Sequence, residues 1–250
     1  MVDQNAESYS FPVAQLLTHG AATGDRPEEW FDYVGHYKLG KDDVPMLLRL
    51  AGEGGSNNAQ FEPDPVPLHA CRALGQLGVG SAARALVKRL GDCSDALGES
   101  ILFALSMVGL PGLKALEGFF DSPDIDMWVQ IRVAEGVAVF ADRNPAHRTR
   151  CVTFLMQALS RSAQWQATVN GFLVYYLVEL KATEASSVIE QAFLRNQVDE
   201  DVLGWWPDVQ IQLGLAKVTD FSPELLLYAG ELYPIPTVAE LLREQRLADA

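Results

Sequence analysis

Basic residues are scarce in this 250-residue chain, which has 19 Lys and Arg against 33 Asp and Glu and a net charge of −14. The deficit lies at the two ends. Residues 1–64 hold 11 acids against 4 basic residues (net −7), residues 197–250 hold 10 against 3 (net −7), and residues 65–196 are balanced at 12 against 12. A protein that follows a phosphate backbone needs a surplus of Lys and Arg. The sequence therefore predicts that neither nucleic acid nor a membrane is a partner.

Cysteine is also rare, with three residues, Cys71, Cys93 and Cys151. An odd number of widely spaced thiols fits neither a disulfide framework nor a zinc site, and it is typical of a reducing compartment. The first twelve residues carry two acids and no basic residue, unlike the start of a secretory signal. We therefore expect a cytoplasmic location.

Long apolar runs are missing as well. The longest candidates, residues 101–110 and 171–180, are interrupted by Ser106 and Glu179, and both are much shorter than the ~20 residues that a membrane-spanning helix needs. The composition is otherwise ordinary, with 48% apolar and 21% charged residues. These values are far from those of disordered chains. The sequence predicts a folded, soluble protein.

Signatures of catalysis are absent from the sequence. It contains no glycine-rich phosphate loop, no His-x-Glu metal spacing and no Gly-x-Ser-x-Gly turn. Its pairs of acidic residues stand in loops or at predicted helix starts, where an acid complements the helix dipole. We expect that the protein is not an enzyme and uses neither a cofactor nor a metal.

One arrangement leaves a catalytic alternative open. His147 and Cys151 are four residues apart on a predicted helix that also carries Arg148 and Arg150. Such neighbours favour a thiolate, which is a nucleophile. However, Cys151 shares a helical stripe with Leu155, so we favour a buried thiol without a catalytic role.

The sequence does contain an internal repeat. Residues 68–92 recur at residues 99–121 with an offset of about 30 residues. Each copy predicts a helix, a glycine-containing turn and a second helix. In the second helix of the first copy, Leu86 and Leu90 share an apolar stripe, while Arg84 and Lys88 face away from it. The repeat therefore predicts stacked helix pairs.

Weaker copies of this helix pair follow the two clear ones. They cover residues 126–161 and 167–196, and residues 27–51 are interpreted as an irregular first pair. No run of alternating β-branched residues competes for a strand assignment. The sequence predicts the all-α class, as an α-α superhelix of about five helix pairs, which exceeds the ~3 repeats that a stable stack requires.

The repeat resembles a known family. The pattern A-x-x-A-L-G-x-[LI]-G, followed by a second helix that ends in L-x-D, is similar to HEAT-like repeats of the phycobilisome-lyase type. The resemblance is good over residues 66–121, loose over 126–196 and absent at both ends. It implies a HEAT-like solenoid that acts as a scaffold or adaptor in protein–protein interaction. The alternative that it implies is a bilin lyase-like, chromophore-handling protein.

The resemblance also implies a domain organisation. Residues 1–250 are predicted to form a single α-solenoid domain. Within it, residues 1–64 form an irregular first helical pair and a loop, and residues 65–196 form the HEAT-like repeats. Residues 197–250 form an acidic C-terminal cap, because the end of a solenoid must cover its last apolar face.

A candidate binding surface follows from this arrangement. In a HEAT-like stack the second helices line the concave face, which solenoids use for binding. The outward positions of these helices form a polar row that is basic at its start, namely Arg84, Lys88, Lys114, Thr153, Gln157, Ser187 and Gln191. We expect a protein or peptide partner here, and a plain solvated face is the alternative.

Four aromatic residues are possible additional anchors: Trp165, Tyr175, Trp205 and Trp206. Exposed aromatic side chains are favoured anchors at protein interfaces. Large residues also seal the ends of solenoids, and we favour that second interpretation.

Overall fold

The described part of the chain, residues 9–52, 65–123 and 125–222 of a computed structural model, contains α-helices and short 3₁₀ helices and no strand. This confirms the predicted all-α class. The sequence also predicts a loop at residues 52–65, from its Gly, Asn and Pro content, and a short terminal helix near residues 238–247. The helix and most of the loop lie outside the described residues.

Two units make up the chain, residues 1–155 and 156–250. The boundary between them does not coincide with the predicted boundaries after residues 64 and 196. The organisation as a single solenoid domain stays a prediction.

The first unit is built from helices that alternate with short turns. Most second helices of the repeats begin with a 3₁₀ turn, such as those at Gly80–Ala82 and Pro145–His147. The helices are α1 (Tyr33–Tyr37), α2 (Val44–Gly52), α3 (Pro65–Leu77), α4 (Ala83–Lys88), α5 (Asp95–Val108), α6 (Leu110–Phe120), α7 (Met127–Arg143) and α8 (Arg148–Ser160), of which residues up to Leu155 belong to this unit.

The helices of this unit form two sets. The first helices of the repeats pack side by side, α3 on α5 and α5 on α7, with α2 against α3. The second helices α4 and α6 pack on each other. Gly75 allows the close contact of α3 and α5, because a Cβ there would lie 2.8 Å from the Cα of Ala104. Of the two helix pairs predicted within residues 68–121, the second is seen directly, since α5 also packs on α6. The stacking of such pairs into a solenoid stays a prediction.

Serine and aspartate side chains fix where two of the long helices begin. Ser94 accepts a hydrogen bond from the Leu97 amide (3.4 Å) at the start of α5, and Asp126 accepts one from the Val129 amide (2.9 Å) at the start of α7. These caps satisfy amide groups that have no partner inside the helix. Asp126 also lines one end of a groove between α4 and α6.

A polar face of α3 holds residues 20–34 against the repeats. His69 bonds the Tyr33 hydroxyl (2.7 Å) and the Gly20 carbonyl (2.9 Å). Arg72 donates to the carbonyls of Thr23 (2.6 Å) and Gly24 (2.9 Å), and Gln76 donates to the Phe31 carbonyl (2.8 Å). His69, Arg72 and Gln76, which lie on one face of α3, thus hold the irregular segment of residues 20–34 through hydrogen bonds.

The second unit contains α9 (Ala167–Glu179), α10 (Ser186–Leu194) and α11 (Trp206–Gln212). Buried Asn170 donates from Nδ2 to the carbonyls of Ser162 (3.0 Å) and Gln197 (2.7 Å). This amide ties together the two segments that flank α9 and α10.

One local prediction in this unit was wrong. The sequence around Trp205 and Trp206 shows no apolar stripe and predicts a loop there, but Trp206 begins α11. The Trp205 amide donates to Asp208 Oδ2 (2.8 Å), and Pro207 stands in the first turn. Both features favour a helix start, although the segment lacks the apolar stripe on which the sequence interpretation relied.

Candidate functional site

An open groove of about 960 Å³ lies between the second helices α4 and α6 in the first unit. We call it the α4–α6 groove. It contains three of the seven residues predicted for the binding row, together with apolar and small residues. Its lining includes Arg84, Lys88, Lys114, Val87, Ala115, Phe119, Ile125 and Val129.

The groove runs along both helices in the same direction. Helices α4 and α6 begin side by side, since a Cβ on Gly80 would lie 3.0 Å from Pro111 Cγ. Lining residues then recur along each helix at intervals of three and four residues, the spacing of one helical face. One end of the groove therefore lies at Gly80 and Pro111, and the other lies at Gly91 and Ser122.

Glycine keeps the groove open. Gly91 and Gly118 both line it, and a Cβ added to either of them would meet nothing within 4 Å. Neither has the positive φ that would require glycine for backbone reasons. A side chain at these positions would enter the groove itself, which makes them useful for blocking it.

Three exposed cations surround the apolar floor. Arg84 and Lys88 project from α4 and Lys114 projects from α6. None of the three forms a hydrogen bond or an ion pair within the described ranges. Their charges are available to a ligand, in contrast to the other arginines of this surface.

The neighbouring surface, between α6 and α8, is closed in a different way. Arg150 donates from Nε and Nη2 to the two carboxylate oxygens of Glu117, at 2.8 and 2.6 Å. Beneath this pair, the rings of Phe120 and Phe154 meet at 5.6 Å. The Arg150 cation is thus neutralised within the chain, whereas Arg84, Lys88 and Lys114 on the α4–α6 side have no ion pair among the described residues.

The remaining residues of the predicted row have different surroundings. Thr153 is exposed on α8, and its hydroxyl donates to the Thr149 carbonyl (2.7 Å). Gln157 is exposed on the same helix. Ser187 and Gln191 line a smaller groove of about 360 Å³ in the second unit, together with Arg195. These four residues add polar groups but no charge.

The four predicted aromatic anchors are all partly covered. The Trp165 indole donates to the Ala158 carbonyl (3.0 Å), and Arg161 lies over its ring. The Trp206 ring packs 6.1 Å from that of Phe193, and Tyr175 packs 5.3 Å from Tyr176. Both interpretations of these residues, as anchors and as end seals, stay predictions.

Sequence reasoning missed several exposed apolar side chains, including one on α7 and one on α10. Trp128 in the first turn of α7 is 60% exposed, and Leu194 at the end of α10 is 72% exposed. Trp128 stands between the cap residue Asp126 and the buried Val129, which both line the α4–α6 groove. Trp128 does not belong to the apolar stripe of Ile131 and Ala134, and this position could have predicted its exposure.

The catalytic alternative at Cys151 lacks the geometry it needs. The side chain is fully buried, and burial raises the pKa of its thiol to about 11. An activated nucleophile requires the opposite shift. The His147 ring lies 6.1 Å from that of Phe140, and the structure places no hydrogen bond between His147 and the thiol among the described residues.

No group of three or more His, Cys, Asp or Glu with the geometry of a metal site occurs in residues 9–52, 65–123 and 125–222. Over the same ranges, every helix is too short or too polar to cross a membrane. Comparison of the chain with protein-family models, with curated proteins and with solved structures gave no match.

Proposed function

We propose that the chain is a non-catalytic, HEAT-like repeat scaffold that binds a segment of another protein in the α4–α6 groove. The observation that carries this proposal is the row of three unneutralised cations around an open groove of mixed polar and apolar lining. Arg84, Lys88 and Lys114 supply charge, while the partly exposed Ala115, Phe119 and Ile125 supply apolar surface. This combination suits a peptide with acidic and apolar side chains.

The solenoid is part of the same proposal. The packing of α3 on α5 and of α5 on α7, with α4 on α6, supports a stack of helix pairs. In such a stack the α4–α6 groove belongs to the concave face.

The test uses a displayed library of random dodecapeptides, selected on the immobilised full chain. The key variant reverses the three charges (Arg84→Glu, Lys88→Glu, Lys114→Glu). Its matched control reverses one arginine and two lysines that are exposed elsewhere (Arg26→Glu, Lys41→Glu, Lys217→Glu). Both variants change the net charge by the same amount.

Peptides selected on the natural chain should bind the groove variant at least about tenfold more weakly, because opposed like charges cost several kcal/mol. They should bind the control variant as they bind the natural chain. Equal loss in both variants would mean that net charge alone attracts the peptides, and equal retention would place binding elsewhere. Either result contradicts the proposal.

The bilin-handling alternative has a different signature. A bilin held by a protein changes its absorbance spectrum. A spectral shift on mixing the chain with a bilin, abolished when Gly118→Trp fills the groove, would assign the groove to a pigment. An unchanged spectrum would remove the reason for the bilin alternative.

A further inference from the structure

The two ends of the α4–α6 groove carry opposite charge. Arg84 and Lys114 lie near the end where the helices begin, three or four residues after Gly80 and Pro111. Asp121 and Asp126 line the end where the helices finish. Both acids are exposed. The groove is therefore electrostatically polarised along its length, which a uniformly acidic ligand would not match.

The centre of the groove has a different chemistry. Gly118 leaves open space above the helix, and the partly exposed Ala115 and Phe119 offer apolar surface beside it. Lys88, the last residue of α4, stands three residues before Gly91, between this central part and the acidic end. An apolar side chain of moderate size fits here, because it removes apolar surface from water without displacing any residue of the chain.

The length of the groove limits the size of its occupant. The lining on the α4 side runs from Gly80, in the 3₁₀ turn before α4, to Gly91, in the 3₁₀ turn after it, which is at least about 16 Å at the ~1.5 Å rise of an α-helix. An extended peptide covers that distance with about five residues at ~3.3 Å each. In an extended peptide ligand, the two side chains that contact the two ends of the groove are thus about four to six residues apart.

From this charge pattern we infer that the groove takes an extended segment of a partner protein with an acidic residue at one end, an apolar residue in the middle and a basic residue at the other end. The acidic residue lies at Arg84 and Lys114, the apolar one lies over Gly118, and the basic one lies at Asp126. This inference rests on the proposed function, since it specifies the ligand of the same groove.

Double-mutant cycles test the arrangement with the full chain and one library-selected dodecapeptide. Asp126→Asn removes the charge at one end and keeps the helix cap, because Asn caps as well as Asp does. Arg84→Gln removes a charge at the other end. Each protein variant is measured against peptides in which the basic residue or the acidic residue is replaced by Gln.

The matched pairs should be coupled. Asp126→Asn should weaken binding of the unsubstituted, library-selected peptide about two- to fivefold, which is the range of exposed ion pairs. It should not change the affinity of the peptide whose basic residue is replaced by Gln. Arg84→Gln should be coupled in the same way to the acidic residue. For the mismatched combinations, Asp126 with the acidic peptide residue and Arg84 with the basic one, the two free-energy changes should be additive within error.

Two other outcomes distinguish failure of this inference from failure of the proposed function. If the peptide depends on Arg84, Lys88 and Lys114 but shows no coupling to Asp126, the polarised ligand is wrong and the proposed function remains. If Gly118→Trp leaves the affinity of the peptide unchanged, the groove is not the binding site and both proposals are contradicted.

Discussion

Arg150 on α8 and Glu117 on α6 are joined by two hydrogen bonds of 2.8 and 2.6 Å. The position that corresponds to Glu117 in the preceding repeat is Val87 on α4, one residue before Lys88. Glu117 and Arg150 together close the surface between α6 and α8. Val87, which is buried, provides no acid at the corresponding point of α4.

Replacing Glu117 tests the strength of this closure. Glu117→Gln should lower the free energy of unfolding by about 0.2–1 kcal/mol, since the pair is only partly shielded from water. Urea denaturation at low salt measures the effect, and it should shrink in 1 M salt because exposed charges are screened. Glu190→Gln, at an exposed glutamate of α10, is the matched control and should be neutral.

The polar face of α3 is expected to be important for stability. Arg72 is 5% exposed and bonds the carbonyls of Thr23 and Gly24, and its guanidinium lies 4.9 Å from the Trp30 ring. Arg72→Met should cost at least about 2 kcal/mol in urea denaturation, because it leaves two carbonyls without a donor.

A local readout completes that experiment. Limited proteolysis of Arg72→Met should cut first within residues 20–34. Arg26→Met, at an exposed arginine, should leave both stability and cleavage unchanged. Equal stability of the two variants would show that the α3 face does not hold the segment.

Acidification should weaken the same region. Burial, and then the charge of His36, lower the pKa of His19 from its ordinary 6.5. The neutral ring is thus favoured in the folded chain, where it packs against Phe31, Tyr33, Tyr37 and His69. The unfolded chain binds the extra proton more readily, so this part of the stability is present above pH ~6.5 and is lost as the pH falls below it.

Urea denaturation at about pH 7.5 and about pH 5.5 measures this dependence, which spans the titration of histidine. The natural chain should lose stability between the two values, and His19→Phe should lose less. His147→Gln, in the same unit but outside the cluster, should behave like the natural chain. An identical pH dependence for all three proteins would count against the explanation.

The thiols should differ in reactivity. Cys71 and Cys151 are buried, and burial raises their pKa to about 12 and about 11. Cys93 is half-buried. Under native conditions a thiol reagent should label Cys93 first and leave the other two unmodified, and all three should react in denaturant. Rapid labelling of Cys151 in the native chain would reopen the catalytic alternative.

Helices with a clear apolar stripe could be predicted from the sequence. The stripe of Leu86 and Leu90 is buried and Arg84 and Lys88 are exposed, as the repeat indicates. The buried state of Cys151 was predicted from its alignment with Leu155, and it is confirmed. In both cases neighbours three or four residues apart determine the environment, so a single sequence contains the needed information.

Other features depend on residues that are distant in the chain. His69, Arg72 and Gln76 look like an ordinary polar helix face, but their partners within residues 20–34 lie 36 to 49 residues away. The acidic end of the α4–α6 groove requires Asp126 of α7 to lie beside helices of two earlier repeats. Gly118 reads as a helix-weakening residue, and its place in the groove appears only after the helices have packed.

The affinity of a library-selected dodecapeptide for Gly118→Ala and Gly118→Trp, measured by calorimetry beside the natural chain, tests the central claim most directly. Alanine should leave the affinity unchanged and add about 0.5–1 kcal/mol of stability in the helix. Tryptophan should fill the groove and weaken binding at least about tenfold, as the loss of a well-packed anchor contact does, while the chain stays folded. Equal affinity for all three proteins would contradict the account.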